Sequence, residues 1–428
     1  MKHCAGYSAV SRRLAQVCVL LLTLSSSPAQ AEVALGASLP ELLSYARQHN
    51  PALAAERAET EATHARAEAA GTLPDPSFQI ELMDVTNSMR GGGTTILPGQ
   101  VGETRYRIVQ PLPAWGKREL DSRAAQTRAE RAEATQAQTW LNLAAEIKTA
   151  WLRYYAADRE QMLNDDALAL LQALEDTTLT RYRLGLAPQQ AVLRTQREIT
   201  GRRLASITIA QRRQAAQAAL NALLSRPASS ALALPLDPPA LPRLQPYAGL
   251  LDIARATSPA LAAEAHAVEV AQLERDRTRR DRYPDFSIGL TNNQPRGGDA
   301  SWDLMLEMMI PLQQSARRAR EREAAHLLDA ADARRTAAMA SLEGELGRAH
   351  AAYLAGRESL NLLMASLLPQ ATATRDAARN AFANNRVDFD TVLEAEEQLI
   401  ATRIQILETE VATRLALVEL EKIVGELQ

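Results

Sequence analysis

From Lys117 to Leu184 the chain runs 68 residues without a glycine or a proline. Those two residues interrupt helices most reliably. At 1.5 Å per residue an unbroken helix of this length reaches about 100 Å. A typical globular helix has only about 11–12 residues. Just ahead lies an alternating, strand-like segment that ends in Gln110-Pro-Leu-Pro-Ala-Trp-Gly-Lys-Arg-Glu-Leu120. A short strand feeding a helix longer than any compact domain uses points to a tube rather than a catalytic cleft. Composition agrees, because only 4% of residues are aromatic and much of the 46% apolar content is alanine. Such a mixture suits long helices packed side by side better than one bulky core.

Residues 1–31 read as a cleavable export signal. Arg12 and Arg13 form its basic region, Leu14 to Leu24 its apolar stretch, and Ala29-Gln30-Ala31 a small-residue cleavage site. The apolar stretch is too short to remain as a membrane-spanning helix. Cleavage removes Lys2, Arg12 and Arg13 and no acid, taking the formal charge from -3 to -6. A mildly acidic mature chain gives no reason to expect nucleic acid as a partner. Both cysteines, Cys4 and Cys18, fall in the signal, so disulfide and thiolate chemistry are not expected. Cys18 follows a valine with no apolar run ahead of it, which argues against a lipid anchor.

The rest of the chain reads as a duplication. At an offset of 208, Leu43, Ala46, Arg47, Pro51, Ala52, Leu53 and Glu56 return as Leu251, Ala254, Arg255, Pro259, Ala260, Leu261 and Glu264. Pro76, Phe78, Ile80 and Leu82 return as Pro284, Phe286, Ile288 and Leu290, and Tyr182 and Gly185 correspond to Phe382 and Asn385. The offset of 208 held from Leu43 through Leu82 marks an internal repeat. The first repeat is expected over 32–226, with strands at 76–85 and 104–112, a long helix at 117–184 and a return helix at 189–226. A proline-rich linker covers 227–248. The second repeat covers 249–428, with strands at 284–293 and 301–310 and a helical hairpin whose tip lies near 380–393. Trp140, Ala144, Ile147, Trp151 and Tyr154 form a coiled-coil seam on the long helix.

The strands alternate. Trp302, Leu304, Leu306, Met308 and Ile310 share one face, while Asp303, Met305, Glu307 and Met309 share the other. Strands of about ten residues with one apolar and one polar face match the spans of a transmembrane β-barrel. Within lipid every backbone N–H and C=O must be paired, so only helices or closed barrels span a bilayer. Four strands cannot close a barrel, and three chains supplying twelve strands are the simplest solution. Glu81, Arg105, Arg107, Asp303 and Glu307 would then face a water-filled lumen, with Tyr106, Phe286 and Trp302 in an interfacial girdle. The alternative is a pair of soluble hairpins packed on helices.

No reaction is suggested. His49, His64, His266, His326 and His350 lie in no recognised metal-ligand spacing. The acid pair Glu396/Glu397 reads as solvated helix surface, and no glycine loop is placed to cradle phosphate. No cofactor is expected. Met305 and Met309 flank Glu307 and are weak candidates for soft-metal contact, although methionine is more often an adaptable filler.

The repeated Asn50-Pro-Ala-Leu and Ser258-Pro-Ala-Leu segments, the Gln110–Arg118 junction and the turns Tyr182-Arg-Leu-Gly185 and Phe382-Ala-Asn-Asn385 resemble the TolC-type outer-membrane efflux factors. The junction is most similar to the channels of cobalt-zinc-cadmium and copper-silver efflux systems. The resemblance implies a mainly α fold with a small β part. It also implies a homotrimer with a twelve-stranded barrel in the outer membrane of a Gram-negative bacterium and a helical tunnel through the periplasm. Implied partners are outer-membrane lipid, a periplasmic adaptor and an inner-membrane proton-driven pump. Metal cations are the favoured cargo; drug efflux or type I protein secretion by a duct of the same shape is the alternative. A soluble periplasmic coiled-coil scaffold is a second alternative. By the same resemblance the hairpin tips, with Tyr182, Gly185, Leu186, Phe382 and Asn385, dock the adaptor. Asp388, Asp390 and Glu394 ring the periplasmic aperture, with Arg181 and Arg183 as cations to bridge neighbouring acids. The bland reading of these acids is a helix start, Thr391 and Glu394 having the spacing of a capping box.

Overall fold

The computed structural model describes residues 35–88, 91, 93–384 and 386–425. The expected signal segment with Cys4 and Cys18 lies outside the described residues, as does Asn385. The chain opens with α1 (Leu39–His49) and α2 (Pro51–Ala70), then β1 (Ser77–Met83) and β2 (Glu103–Leu112). The helical hairpin α3 (Lys117–Arg183) and α4 (Gln189–Leu223) follows. The order then repeats as α5 (Tyr247–Thr257), α6 (Pro259–Arg280), β3 (Asp285–Pro295), β4 (Ser301–Met309), α7 (Gln314–Leu362), α8 (Leu368–Ala383) and α9 (Phe389–Val424).

The repeated Pro-Ala-Leu segments have a local cause. Asn50 ends α1 and caps α2, its Oδ1 accepting from the N–H groups of Ala52 and Leu53, with Pro51 in the first helical position. Ser258 caps α6 through the N–H of Leu261, again with proline next in line. A side-chain acceptor satisfies donors the helix cannot, and proline loses nothing where its missing N–H had no partner. At the first hairpin tip, α3 stops where Gly185 takes a left-handed φ of 71°. There the N–H of Leu186 donates to the carbonyl of Arg181 at 2.8 Å, the glycine-dependent helix stop. Arg386 and Ala381 repeat that hydrogen bond at the second tip, also at 2.8 Å.

Two equivalent cores pin the short helices to the long ones. Leu42, Ala46 and Leu53 pack with Ile147, Trp151, Leu220, Leu224 and Val418. Leu250, Ala254 and Leu261 pack with Leu342, Leu346, Tyr353, Leu420 and Ile423. The proline-rich segment between the halves runs extended across the helices. Proline supplies only carbonyls, and these are used: Arg414 Nη1 donates to Pro239 O at 2.8 Å and Tyr353 Oη donates to Pro242 O at 2.5 Å.

The second long helix carries one residue more than the first. The buried pairs Leu143/Leu342, Ile147/Leu346 and Tyr154/Tyr353 stand 199 positions apart, whereas Leu171/Ala371 and Thr178/Ala378, nearer the tips, stand 200 apart. Between these groups lies a π-helical turn, Leu363–Leu367. A widened turn is how a helix absorbs one inserted residue. Pro369 follows after Leu368; it cannot donate to the ladder and would crowd the carbonyl four residues back, so the wide turn also relieves the proline.

The four strands form one antiparallel sheet in the order β1-β2-β3-β4. Glu81 pairs with Arg105, Ile108 with Leu290, Thr291 with Asp303 and Ile288 with Leu306. Strands β1 and β4 are the edges, each hydrogen-bonded on one side only within the chain. Among the described residues no helix is long and apolar enough to cross a membrane. Fold class is therefore mainly α, two long helical hairpins with a small sheet, built by internal duplication.

Candidate functional site

The sheet is inverted relative to one that lines a protein core. On one face Phe78, Ile80, Ile108, Phe286, Ile288, Leu290, Trp302, Leu304, Leu306 and Met308 are all exposed, Leu304 at 77% and Leu306 at 73%. Among the described residues no helix covers them. On the other face Thr291 and Asn293 are buried and Arg105 and Arg107 half-buried. Alternation along each strand puts the two sets on opposite sides. A continuous apolar surface of this extent is rare on a protein that meets only water.

The polar face is cross-linked from strand to strand. Glu81 Oε2 lies 3.9 Å from Arg105 Nη1 and 3.8 Å from Arg107 Nη2. Arg107 Nε donates to Thr291 Oγ1 at 3.1 Å, and Asn293 Nδ2 donates to Asp303 Oδ2 at 2.6 Å. Glu81, Arg105, Arg107 and Asp303 thus share one continuous polar surface, with Glu307 farther along β4, opposite Ser287. Met305 covers Gly289: a Cβ added there would lie 2.9 Å from Met305 Cε. That contact gives Met305 a packing role, while Met309 is exposed near the end of β4. Tyr106 stacks on Phe78 at 6.5 Å on the apolar side.

Where sheet meets helices, a charged clasp holds them together. Lys117, the first residue of α3, is only 4% exposed. Its Nζ lies 2.9 Å from Asp285 Oδ1 at the start of β3 and 3.0 Å from Asp281 Oδ1. Asp285 also accepts from the N–H of Ala114 at 2.7 Å. Arg277 reaches Asp121 at 2.9 Å and Asp281 at 2.7 Å. Burial pushes the Asp281 carboxyl up, but hydrogen bonds from Arg277 and Lys117 outweigh it and hold the group below its ordinary value. Sequence marks Lys117 only as the start of the long helix and a member of the junction motif; its acidic partners lie more than 160 positions away.

At the tips, the acids singled out from sequence meet a different arginine. Arg194 Nη1 lies 3.1 Å from Asp390 Oδ1, and its Nη2 lies 3.6 Å from Glu394 Oε1. The guanidinium of Arg181 instead sits 4.2 Å over the ring of Phe382, which meets Phe389 edge-on at 5.9 Å. Arg183 is exposed in the last turn of α3. Phe389 and Leu393 anchor the tip, buried with Leu171, Ala191 and Ile199. Tyr182, Leu184 and Leu186 stay exposed at the end of the first hairpin.

Two expectations for this region need correction. Helix α9 begins at Phe389 with Asp388 in the capping position, and Asp388 makes no side-chain capping bond. Thr391 therefore lies inside the helix and heads no capping box, because that motif needs its threonine outside the first turn. Glu396 is not solvated: it is 1% exposed and paired with Arg379. A helix face that reads as charged can still turn inward when the neighbouring helix supplies the counter-charge. Burial, helped by repulsion from Glu198 and opposed by Arg194 and Arg202, raises the pKa of the adjacent Glu397.

Comparison with known proteins gives these surfaces a context. The family model described as outer membrane efflux protein matches residues 42–226 and 250–426. The solved structure of the outer-membrane channel OprN superposes with a TM-score of 0.76 at 19% identity, covering 90% of this chain and 89% of that one. CusC, from a study of folding and transmembrane channel formation, gives a TM-score of 0.75 at 16% identity over 90% of this chain and 92% of its own. The outer membrane protein VceC from Vibrio cholerae gives 0.74 at 19% identity over 91% and 97%. At these identities the likeness speaks for the fold alone. No curated protein matches the chain in sequence.

Proposed function

The chain belongs to the outer membrane efflux protein family, and on that premise we propose that it is the outer-membrane exit duct of a tripartite efflux pump. Three copies close one barrel. Edge strand β4 of one copy pairs with β1 of the next, so that twelve strands satisfy every ladder hydrogen bond. The uncovered face of Leu290, Leu304 and Leu306 then meets lipid, and Glu81, Arg105, Arg107, Asp303 and Glu307 line water. The helical hairpins continue the lumen into the periplasm. Transport is passive; the inner-membrane proton-driven pump supplies the energy, and a periplasmic adaptor seats on the tips around Tyr182, Gly185, Leu186, Phe382 and Asn385.

The broad exposed apolar face opposite a cross-linked polar face carries this conclusion, since a soluble scaffold would bury the first. Metal cations are the proposed cargo. Three copies of Asp388, Asp390 and Glu394 give the aperture a negative field that favours cations, and the junction motif is most like that of heavy-metal channels. The test is twofold. Purified mature protein should require detergent, migrate as a trimer and conduct ions in a planar bilayer. A strain lacking it should become sensitive to divalent metal salts. A detergent-free soluble monomer refutes the duct. Drug sensitivity with unchanged metal tolerance refutes the cargo and leaves the duct standing.

A further inference from the structure

The seam between α3 of the first repeat and α6 of the second is laced by charge. Arg277 answers Asp121 at 2.9 Å, and Arg128 answers Glu274. Farther along, the pattern changes. His266 and Glu269, one turn apart on α6, meet Glu130 of α3, with His266 Nδ1 3.5 Å from Glu130 Oε2. One ligand atom from each of the three residues lies within 4.8 Å of the other two. Two carboxylates here face an imidazole rather than a guanidinium.

We propose that Glu130, His266 and Glu269 bind a divalent first-row transition cation, of which Zn²⁺ is the type, as a clip between the two repeats. Spacing of i and i+3 puts His266 and Glu269 on one face of α6, and Glu130 completes the set from the facing helix. Two carboxylates and a neutral imidazole carry two negative charges, matching a divalent ion. Zinc bonds to nitrogen and oxygen of about 2.0–2.2 Å put tetrahedral ligand atoms about 3.3 Å apart. The groups therefore need to close by up to about 1.5 Å, and Glu269, being exposed, is free to swing. The helix backbones need not move. Ala124, Ala125 and Ala129 of α3 and Val268, Ala271 and Leu273 of α6 are buried and fix them. The imidazole selects against Mg²⁺ and Ca²⁺, which prefer all-oxygen sites. The fourth position is left to water. From sequence this set was invisible, since Glu130 and His266 are 136 positions apart.

A nearby pair serves as an internal control. His64 of α2 lies 2.8 Å from Glu133, one turn along α3 from Glu130. With a single carboxylate it lacks the donors for a comparable site.

The test uses tag-free mature protein in detergent, titrated with ZnCl₂ by calorimetry and with CoCl₂ by visible absorption. Wild type should bind one ion per chain saturably, with a cobalt spectrum showing nitrogen and oxygen ligation, and excess Mg²⁺ should not compete. His266→Ala and Glu269→Gln should each weaken Zn²⁺ binding at least about tenfold, the minimum for losing a ligand when supporting contacts alone are worth that much. His64→Ala should bind as wild type. Trimer migration of each variant reports folding, and Glu269→Gln, at an exposed position, keeps the test valid if His266→Ala fails to fold. Absence of saturable binding, or equal affinity in wild type and Glu269→Gln, overturns the site. The outcome is independent of what the duct carries.

Discussion

Lys117 Nζ lies 2.9 Å from Asp285 Oδ1 across 168 positions of sequence, and this pair joins the first residue of the longest helix to the first residue of β3. A buried ammonium that meets two carboxylates is satisfied where it stands, and each carboxylate has a second partner of its own. The sheet is thereby fixed at a set height on the helices.

Replacing that ammonium with an apolar side chain of similar length removes the link without leaving a hole. Lys117→Met should destabilise the folded chain by about 1–3 kcal/mol, the cost of stripping a partly buried carboxylate of a partner. The Asp281 carboxyl is held below its ordinary value, so its contribution is complete above the unfolded carboxylate pKa of about 3.9 and is lost as pH falls through the lower folded value. Urea unfolding between pH 2 and pH 6 should show an acid-side decline in wild type that is flatter in Lys117→Met.

Opposite faces of β4 should respond in opposite ways. Leu304→Arg puts a charge on the exposed apolar face and should cost about 2–4 kcal/mol if that face meets the middle of a bilayer. Glu307→Gln, on the polar face, should leave assembly unchanged. The fraction of protein recovered in the outer membrane as a heat-modifiable trimer is the measurement.

Arg194 holds Asp390 and Glu394, and removing it leaves two carboxylates at the tip without this partner. Arg194→Ala should raise the cation-to-anion permeability ratio, roughly severalfold, in single-channel recordings. Asp388→Ala, Asp390→Ala and Glu394→Ala should lower it. Unchanged conductance and selectivity across the set would remove this cluster from the aperture.

Leu186 is exposed at the end of the first hairpin. Leu186→Asp should leave trimer yield and conductance intact while abolishing cross-linking to the adaptor and raising metal sensitivity in cells. Loss of the trimer itself would make Leu186 a structural residue instead.

Long helical hairpins, the strand faces and the duplication were legible because each repeats along the chain. Absence of glycine and proline is a local property, alternation on β4 needs nine residues, and a fixed offset needs only two copies to compare. Pairings between distant elements were not legible. Arg194 meets Asp390 across nearly 200 residues, and nothing in sequence ranks it above Arg181 or Arg183. Glu396 looks like any other acid on a charged helix until Arg379 is seen to close over it. Single-residue length differences were equally hidden, because the offset shows them only once burial marks which positions correspond.

That extra residue between Leu363 and Leu367 uncouples length from orientation. Anywhere else in α7 or α8, deleting one residue would swing everything beyond it by about 100° and present the wrong side chains to their neighbours. Here the wide turn would tighten toward an ordinary one, giving up the relief it provides Pro369, and the far end would keep its heading. The second hairpin thus carries a spare link that the first lacks: it can lose a residue there and still bring Phe382, Phe389 and Asp390 to their present bearings.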